Sequence, residues 1–158
     1  MKPENFEEVV ATTSLNRPGA SDYIDNFVAR KHGKEKVTVL DPVLEDILAP
    51  TYGIMLYQEQ VMQIVRDLAG YSYGRSDLVR RAMSKKKADV MMEEKEWFIN
   101  GKLAEDGSVE IPGCIRNGVS KEAAEAIFDD MVSFAEYAFN KSHAAAYAVL
   151  AFETAYLK

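Results

Sequence analysis

Two stretches of the sequence hold the side chains best suited to binding an anion, and the first is strongly basic. Residues 74–87, with the sequence GRSDLVRRAMSKKK, contain six Arg or Lys side chains and a single acidic residue, Asp77. Six positive charges less one negative give this basic stretch a formal charge of +5 in a chain whose net charge is −6. Because like charges repel one another, such a cluster favours a local anionic partner. A solvated basic helix is the alternative interpretation.

The second stretch, FNKSHAAAY, lies near the end of the printed sequence. Ser142 is suited to cap a helix that the following alanines favour. Asn140 and Lys141 would then stand at the positive end of the helix dipole, and His143 and Tyr147 would share one helical face. A helix N-terminus with a lysine, a hydroxyl and an imidazole is suited to bind phosphate. A capped core helix whose histidine bonds to a neighbour is the alternative.

Hydrophobic spacing predicts the element that positions the basic stretch. Ser76 is suited to cap a helix there. Four apolar residues then fall on one helical face, while Arg80 and Arg81 point the other way. The apolar face consists of Leu78, Val79, Ala82 and Met83. We therefore predict a helix that packs through this face and leaves its arginines free.

The first forty residues are predicted to form two short helices and a strand. Apolar spacing indicates a helix over residues 5–11 and a second from a Ser21 cap to Arg30. Between them, Pro and Gly in the turn Arg17-Pro18-Gly19 hold Arg17 in a defined direction. The β-branched run Val37–Leu40 predicts a short strand.

The middle of the chain contains the clearest helical pattern. Asp41-Pro42 has the order that opens a helix, and the apolar run Ile54–Tyr57 is expected to be buried whatever its secondary structure. Residues 58–69 then predict an amphipathic helix whose apolar stripe is Val61, Ile64, Val65 and Leu68. Gln58 and Gln60 lie in its first turn, where they either position a ligand or are idle surface residues.

After the basic stretch, residues 88–101 predict a helix whose methionines fill the core. Residues 101–118, rich in Gly and turn residues, predict a small hairpin or exposed loop inserted between helices, to which we assign no function. Ser120 is then suited to cap a long helix that reaches about Tyr137. Together with the helices predicted for residues 74–87 and for the FNKSHAAAY stretch, these elements predict a mainly α fold of many helices, with at most short strands or a small hairpin.

Composition limits the classes of protein that remain. The chain has 158 residues, 47% of them hydrophobic, which favours one globular domain with a single sizeable core. A single cysteine, Cys114, excludes an internal disulfide framework and a multi-cysteine zinc site, and a packing role is expected for it. No run approaches the roughly 18 to 20 apolar residues that cross a bilayer, and the acidic start is unlike a signal peptide. We expect a cytoplasmic protein with no membrane partner.

Four motifs, taken together and in order, resemble a known family. They are RPG at 17–19, YGIMLYQEQVM at 52–62, RRAM with the following KKK at 80–87, and FNKSHAAAY at 139–147. They resemble the fingers region of the C-family bacterial replicative DNA polymerases, the family of the DNA polymerase III alpha subunit. The resemblance covers roughly residues 12–158. It implies a multi-helix fingers domain that binds the incoming deoxynucleoside triphosphate and contacts template DNA during chromosomal replication.

Carried over motif by motif, the resemblance also implies site residues. The expected nucleotide ligands are Arg80, Arg81, Lys85, Lys86, Asn140, Lys141, Ser142 and His143. Further nucleotide or DNA contacts are expected from Arg17, Gln58, Arg75, Lys87 and Tyr147. Positive charge and helix-terminal amides are what the departing pyrophosphate requires in phosphoryl transfer.

The sequence departs from the family in ways that limit the prediction. Arg75 stands where many members have glycine, and the 101–118 loop is longer than in some relatives.

No motif resembles the palm aspartates of this family, which hold two Mg²⁺ ions. We therefore expect no catalytic or metal-binding residue in this chain, and we expect the isolated chain to be inactive. We interpret the sequence as a fragment excised from a polymerase subunit. Primer-template DNA is an expected partner, and sliding clamp and clamp loader are expected to bind elsewhere. A self-contained helical module that binds phosphate or nucleic acid is the alternative, and a purely structural helical domain is the third.

Overall fold

The computed structural model describes residues 1–85, 88–135 and 137–158, and it confirms a mainly α fold. Within this part of the chain there are eight α-helices and one two-stranded antiparallel hairpin. The helices are α1 (Phe6–Leu15), α2 (Ile24–Lys31), α3 (Val43–Leu48), α4 (Gln58–Ala69), α5 (Tyr73–Ser84), α6 (Ala88–Asn100), α7 (Lys121–Ala135) and α8 (Lys141–Tyr156). The hairpin strands are β1 (Lys102–Leu103) and β2 (Val109–Ile111), and short 3₁₀ turns span Ser21–Tyr23 and Ala49–Thr51.

Two apolar clusters form the interior. The larger one lies among α3 to α7 and the hairpin, and the smaller one lies among α1, α2 and α8. The run Ile54–Tyr57 is buried, as predicted, and separates them: Met55 enters the larger cluster while Ile54, Leu56 and Tyr57 enter the smaller. Ile54, Met55 and Leu56 thus alternate between the clusters, as successive side chains of extended backbone do, whereas Tyr57, the residue before α4, enters the same cluster as Leu56.

Helix α4 has the predicted bounds and the predicted buried stripe. Gly70 ends it in a left-handed conformation, with a φ of +77°. At its start, Gln60 is buried rather than available to a ligand. Its Oε1 accepts from the backbone N–H groups of Leu56 and Tyr57 at 2.8 and 2.9 Å, and its Nε2 donates to Thr51 Oγ1 at 2.8 Å. Gln60 therefore fixes the backbone that leads into α4.

The segment 101–118 forms the predicted hairpin, and its second half is part of the core. Ile111 and Cys114 are buried. The backbone N–H of Gly113 donates to the Ala69 carbonyl at 2.9 Å, and that of Cys114 donates to the Phe98 carbonyl at 2.8 Å. The hairpin is thus tied to the ends of α4 and α6.

Three predictions near the N-terminus are wrong. Helix α1 continues to Leu15 instead of ending at residue 11, because Leu15 is buried in the smaller apolar cluster. The three hydroxyl side chains in between donate to carbonyls four residues back, such as Thr12 Oγ1 to Glu8 O at 2.7 Å. The strand predicted at Val37–Leu40 is not present. Residues 36–40 are irregular backbone and do not belong to the hairpin, which is the sheet of the described residues. Ser21 begins a 3₁₀ turn and does not cap α2.

Two further predictions about buried faces need correction. Ser72, not Ser76, caps α5, and Ser76 is buried one turn later with its hydroxyl donating to the Tyr73 carbonyl. The buried face of α5 consists of Ser76, Val79, Ala82 and Met83, and Leu78 lies outside it, 60% exposed. In α6, Met92 is likewise exposed, and the core is filled by Phe98 and Ile99.

Ser120 caps α7 as predicted, by accepting from the Ala123 backbone N–H at 3.2 Å. Helix α7 is described from Lys121 to Ala135, and the predicted end at about Tyr137 is close to this range. Among the described residues, no helix has the length and apolarity that a membrane span requires.

Candidate functional site

A cleft of about 530 Å³ lies between the first turn of α4, the outer face of α5 and the N-terminus of α8. We call it the central cleft. Residues from three of the four motifs line it, although they are far apart in the sequence. The lining residues are Gln58, Glu59, Met62, Tyr73, Gly74, Asp77, Arg80, Asn140 and Ser142.

A short parallel bridge between Tyr57 and Phe139 holds the starts of α4 and α8 side by side. The Phe139 N–H donates to the Leu56 carbonyl at 2.9 Å, and the Gln58 N–H donates to the Phe139 carbonyl at 2.9 Å. The Gln58 side chain adds a bond from its Nε2 to the Ala138 carbonyl at 3.3 Å. Backbone pairing therefore fixes two walls of the central cleft.

Arg80 forms the third wall and is held in place by two partners. Its Nε and Nη2 donate to Asp77 Oδ1 at 3.0 and 2.7 Å, and its Nη1 donates to Gln58 Oε1 at 3.1 Å. The side chain is only 19% exposed, so the prediction that it stands free in solvent is wrong. Hydrogen bonds from Arg80, together with the charge of Arg81, hold the pKa of Asp77 below its usual value.

Arg81 does not line the central cleft. It is 62% exposed and pairs with the other oxygen of the same carboxylate, with Nη2 2.7 Å from Asp77 Oδ2. It lies in a second cavity of about 330 Å³, which we call the side groove and which is lined by Arg75, Leu78, Arg81, Ala82, Lys85, Val90 and Glu94. Consecutive arginines on α5 thus serve different cavities. Lys86 and Lys87, predicted ligands, lie outside the described residues.

At the start of α8, backbone N–H groups already have acceptors. Asn140, not Ser142 as predicted, is the cap, and its Oδ1 accepts from the His143 N–H at 2.9 Å. The Lys141 N–H donates to both carboxylate oxygens of Glu59, at 3.0 and 3.2 Å. The Lys141 ammonium pairs with Glu7 Oε2 at 2.9 Å instead of entering the central cleft.

A row of aromatic rings runs along α8 from this end. The His143 ring lies 5.5 Å from that of Phe139 and 4.9 Å from that of Tyr147, as the predicted shared face requires. The Arg17 guanidinium lies over Phe139 at 4.8 Å. Gly19 gives the Arg17 turn its shape, with a φ of +85° that favours glycine. His143 and Tyr147 are exposed, so this aromatic row is accessible beside the central cleft.

Arg75 faces α6 and the hairpin. Its Nη2 lies 2.7 Å from Glu94 Oε1, its Nη1 lies 3.5 Å from Glu110 Oε1, and its guanidinium lies over the Trp97 ring at 4.8 Å. Tyr71 donates a further hydrogen bond to Glu94 at 3.0 Å. The structure therefore places Arg75 at the side groove in an ion-pair network, away from the other predicted ligands in the central cleft.

Two acidic residues of the central cleft were missed by sequence reasoning. Glu59 follows Gln58 in one of the four motifs, and Asp77 is the single acidic residue of the basic stretch, so both signals were present in the sequence. Among the charged side chains that line the central cleft, these two carboxylates face one cation, Arg80. No group of three or more His, Cys, Asp or Glu side chains that could hold a metal occurs among the described residues.

The sequence of this chain matches a known protein family. The family described as "Bacterial DNA polymerase III alpha subunit finger domain" matches residues 1–106. A DNA polymerase III subunit alpha of Streptococcus pyogenes is 52% identical over 158 residues, which is 100% of this chain and 14% of that protein. The same-named proteins of Chlamydia trachomatis and Halalkalibacterium halodurans are 48% and 43% identical over the whole chain, covering 12% and 13% of their lengths. The chain thus spans about one seventh or less of these curated relatives.

Proposed function

Because the chain belongs to the bacterial DNA polymerase III alpha subunit finger domain family, we propose that it binds the incoming deoxynucleoside triphosphate within a DNA-directed DNA polymerase. The binding site is the central cleft. The larger subunit performs nucleotidyl transfer during replication in the bacterial cytoplasm. This chain supplies positive charge, hydrogen-bond donors and a contact surface for primer-template DNA.

The observation that supports this proposal best is the position of Arg80. Its guanidinium lines the central cleft opposite Asn140 and Ser142, which come from a motif about sixty residues later. Arginine binds phosphate oxygens through two parallel charge-assisted hydrogen bonds, each stronger than a bond between neutral groups. Arg80 exchanges its bonds to Asp77 and Gln58 for bonds to the triphosphate, and the Ser142 hydroxyl donates from the opposite wall.

The side groove is suited to a different part of the substrate. Arg81 is largely exposed and Lys85 is exposed at the end of the same helix. We assign these two residues to the phosphate backbone of DNA. Lys86 stays a predicted nucleotide ligand, and Lys87 stays a predicted nucleotide or DNA contact. Contacts of this type bind DNA without regard to sequence and weaken as salt rises.

The aromatic row is assigned to bases. Aromatic side chains stack on nucleobases, and arginine adds a cation–π contribution. His143 and Tyr147 are the exposed members, and Arg17 supports the row through Phe139. A base of the nucleotide or of the template would pack there, next to a triphosphate in the central cleft.

Chemistry at the primer end belongs to other parts of the subunit. Mg²⁺ stabilises the charge that develops during phosphoryl transfer, and carboxylates outside this chain would hold it. The residues described here bind and orient the triphosphate. Sliding clamp and clamp loader, likewise, are proposed partners of regions outside this chain.

Steady-state kinetics of the full-length subunit test the proposal. Arg80→Ala should raise the KM for the nucleotide, or lower kcat/KM, by about tenfold or more, because charge-assisted hydrogen bonds are lost. Arg116→Ala is the matched control, since Arg116 is an exposed arginine that does not line the central cleft. Equal kinetics for the two variants would contradict the assignment of the central cleft.

The side groove is tested separately. Arg81→Ala and Lys85→Ala should weaken binding of primer-template DNA and reduce the slope of its salt dependence by about one phosphate contact each. The KM for the nucleotide at saturating DNA should change little. A large rise in that KM with unchanged DNA affinity would place Arg81 or Lys85 on the triphosphate instead.

A further inference from the structure

The Glu59 carboxylate lies where the central cleft offers a hydrogen-bond donor to an anion. Both of its oxygens accept from the Lys141 N–H, at 3.0 and 3.2 Å, and Glu59 also lines the central cleft. Carboxylate and phosphate oxygens compete for the same kind of donor, and both are favoured by the positive end of a helix dipole. A phosphate that reached this N–H group would meet the carboxylate already bound to it.

The other positive groups around the central cleft are neutralised in the same way. Arg80 is bonded to Asp77, and the Lys141 ammonium is bonded to Glu7. The described charged side chains that line the central cleft are one arginine and two carboxylates, and one of these carboxylates, Asp77, also pairs with Arg81, which does not line the cleft. Among the described residues, the cation that lines the central cleft thus already has a carboxylate partner, although the basic stretch as a whole carries +5.

We propose that Glu59 is an internal competitor of the triphosphate, whose carboxylate must leave Lys141 before the ligand binds at full strength. This inference rests on the function proposed above and adds a means of regulating the same site. Glu59 is the second residue of α4, and three side-chain torsions separate its carboxylate from the backbone. The side chain can therefore swing away while α4 and the Tyr57–Phe139 bridge stay in place.

The charge of the ligand should determine how strongly Glu59 opposes its binding. A triphosphate carries more negative charge than a monophosphate, so the carboxylate repels it more strongly. The competing carboxylate thus lowers the affinity for every anion, and it lowers that for the triphosphate more. Removal of its charge should increase the preference for the triphosphate.

Titration calorimetry of this chain with inorganic triphosphate, dATP and dAMP, without DNA, tests the inference. Glu59→Gln keeps an oxygen that can accept from the Lys141 N–H and removes only the charge. We expect it to tighten triphosphate binding by about five- to tenfold at low salt, with a smaller gain at high salt. Glu122→Gln is the matched control, because Glu122 is exposed in the first turn of α7 and does not line the central cleft.

The outcomes separate the two proposals. Suppose that the wild-type chain binds triphosphate and that Arg80→Ala weakens this binding, but that Glu59→Gln leaves the Kd unchanged or raises it. The proposal that Glu59 is an internal competitor is then refuted, while the proposal that the triphosphate binds in the central cleft is supported. Binding that neither Arg80→Ala nor Glu59→Gln alters refutes both proposals, and so does the absence of binding by every variant.

A measurement on the wild-type chain avoids reliance on the folding of the variant. The ¹³C resonance of the Glu59 carboxylate and the amide resonance of Lys141 should both shift as inorganic triphosphate is added, because one acceptor replaces the other. Binding with an unchanged Glu59 carboxylate resonance would refute the displacement.

Discussion

Substitution of Glu8 should show how strongly a buried ion pair holds α1 against the rest of the chain. The Lys31 ammonium lies 2.6 Å from Glu8 Oε2, and the two side chains are only 4% and 5% exposed. The Tyr52 hydroxyl donates to the other carboxylate oxygen at 2.9 Å. Glu8→Gln keeps the size of the side chain but leaves the ammonium buried without an opposite charge. Helix α1 packs on α8, so the pair also supports one side of the site.

The pKa of Glu8 gives the magnitude. Burial raises this pKa, but the ammonium of Lys31, the Glu4 backbone N–H and the Tyr52 hydroxyl lower it by more, from 4.5 to about 2. At about 1.4 kcal/mol for each tenfold change in proton affinity, the lowered pKa corresponds to about 3 kcal/mol of folding free energy at pH 7. Removing one partner of a buried pair costs about 3 to 5 kcal/mol, which agrees.

The sign of the pH dependence follows from the same values. As the pH falls below 4.5, the unfolded chain takes up the proton first, so the contribution of Glu8 to stability decreases and is lost through about pH 2. The difference in unfolding free energy between the wild-type chain and Glu8→Gln should therefore shrink by about 2 kcal/mol between pH 7 and pH 3.

Urea denaturation followed by circular dichroism at several pH values measures this difference. Glu125→Gln is the control, because its pair with Lys121 is 3.8 Å long and exposed, and such pairs contribute about 0 to 1 kcal/mol. A Glu8→Gln chain as stable as the wild type at pH 7, or a difference that does not vary with pH, would refute the reasoning.

Three further substitutions or modifications test the packing. Gly19→Ala should destabilise the chain by about 2 kcal/mol or more in thermal unfolding, because its φ is +85° and a Cβ would overlap a tyrosine ring. Gly107→Ala is the control and should cost less, since its φ of +81° is similar but the space around it is open. Equal losses of stability would contradict the predicted overlap. Gln60→Ala should cost about 2 to 4 kcal/mol in denaturant unfolding, since buried N–H groups lose their acceptor, while Gln63→Ala, exposed on the same helix, should be nearly neutral. Cys114 should react with a thiol reagent at pH 8 only after denaturation, because its side chain is buried and burial raises its pKa to about 12. Rapid reaction of the native chain would contradict the burial of Cys114.

Much of the helical fold could be predicted because its determinants are local. Helix α4 was predicted to the residue, since a regular apolar stripe begins after an extended run and ends at Gly70. The strand at Val37–Leu40 was wrong because a strand depends on a partner, which β-branched composition does not provide. The start of α5 was missed by choosing between two serines. Leu78 was expected in the core because it is apolar and near that face, but the neighbouring elements cover Ser76, Val79, Ala82 and Met83 instead.

The candidate site shows a similar division. Sequence motifs identified Arg80, Asn140 and Ser142, and the fold brings them together in one cavity. The placement of Arg80 and Arg81 in different cavities could not be predicted, because both lie on the polar side of the expected helix. The contact between Glu59 and the Lys141 N–H joins residues 82 positions apart, so local patterns contain no information about it.

The most direct test of the account is the position of the bound triphosphate. A crystal structure of the full-length subunit with primer-template DNA and an incoming nucleotide would provide it. We expect phosphate oxygens within hydrogen-bond distance of the Arg80 guanidinium and the Ser142 hydroxyl, inside the central cleft. A triphosphate bound in the side groove beside Arg81 and Lys85, or away from this chain altogether, would contradict the central claim.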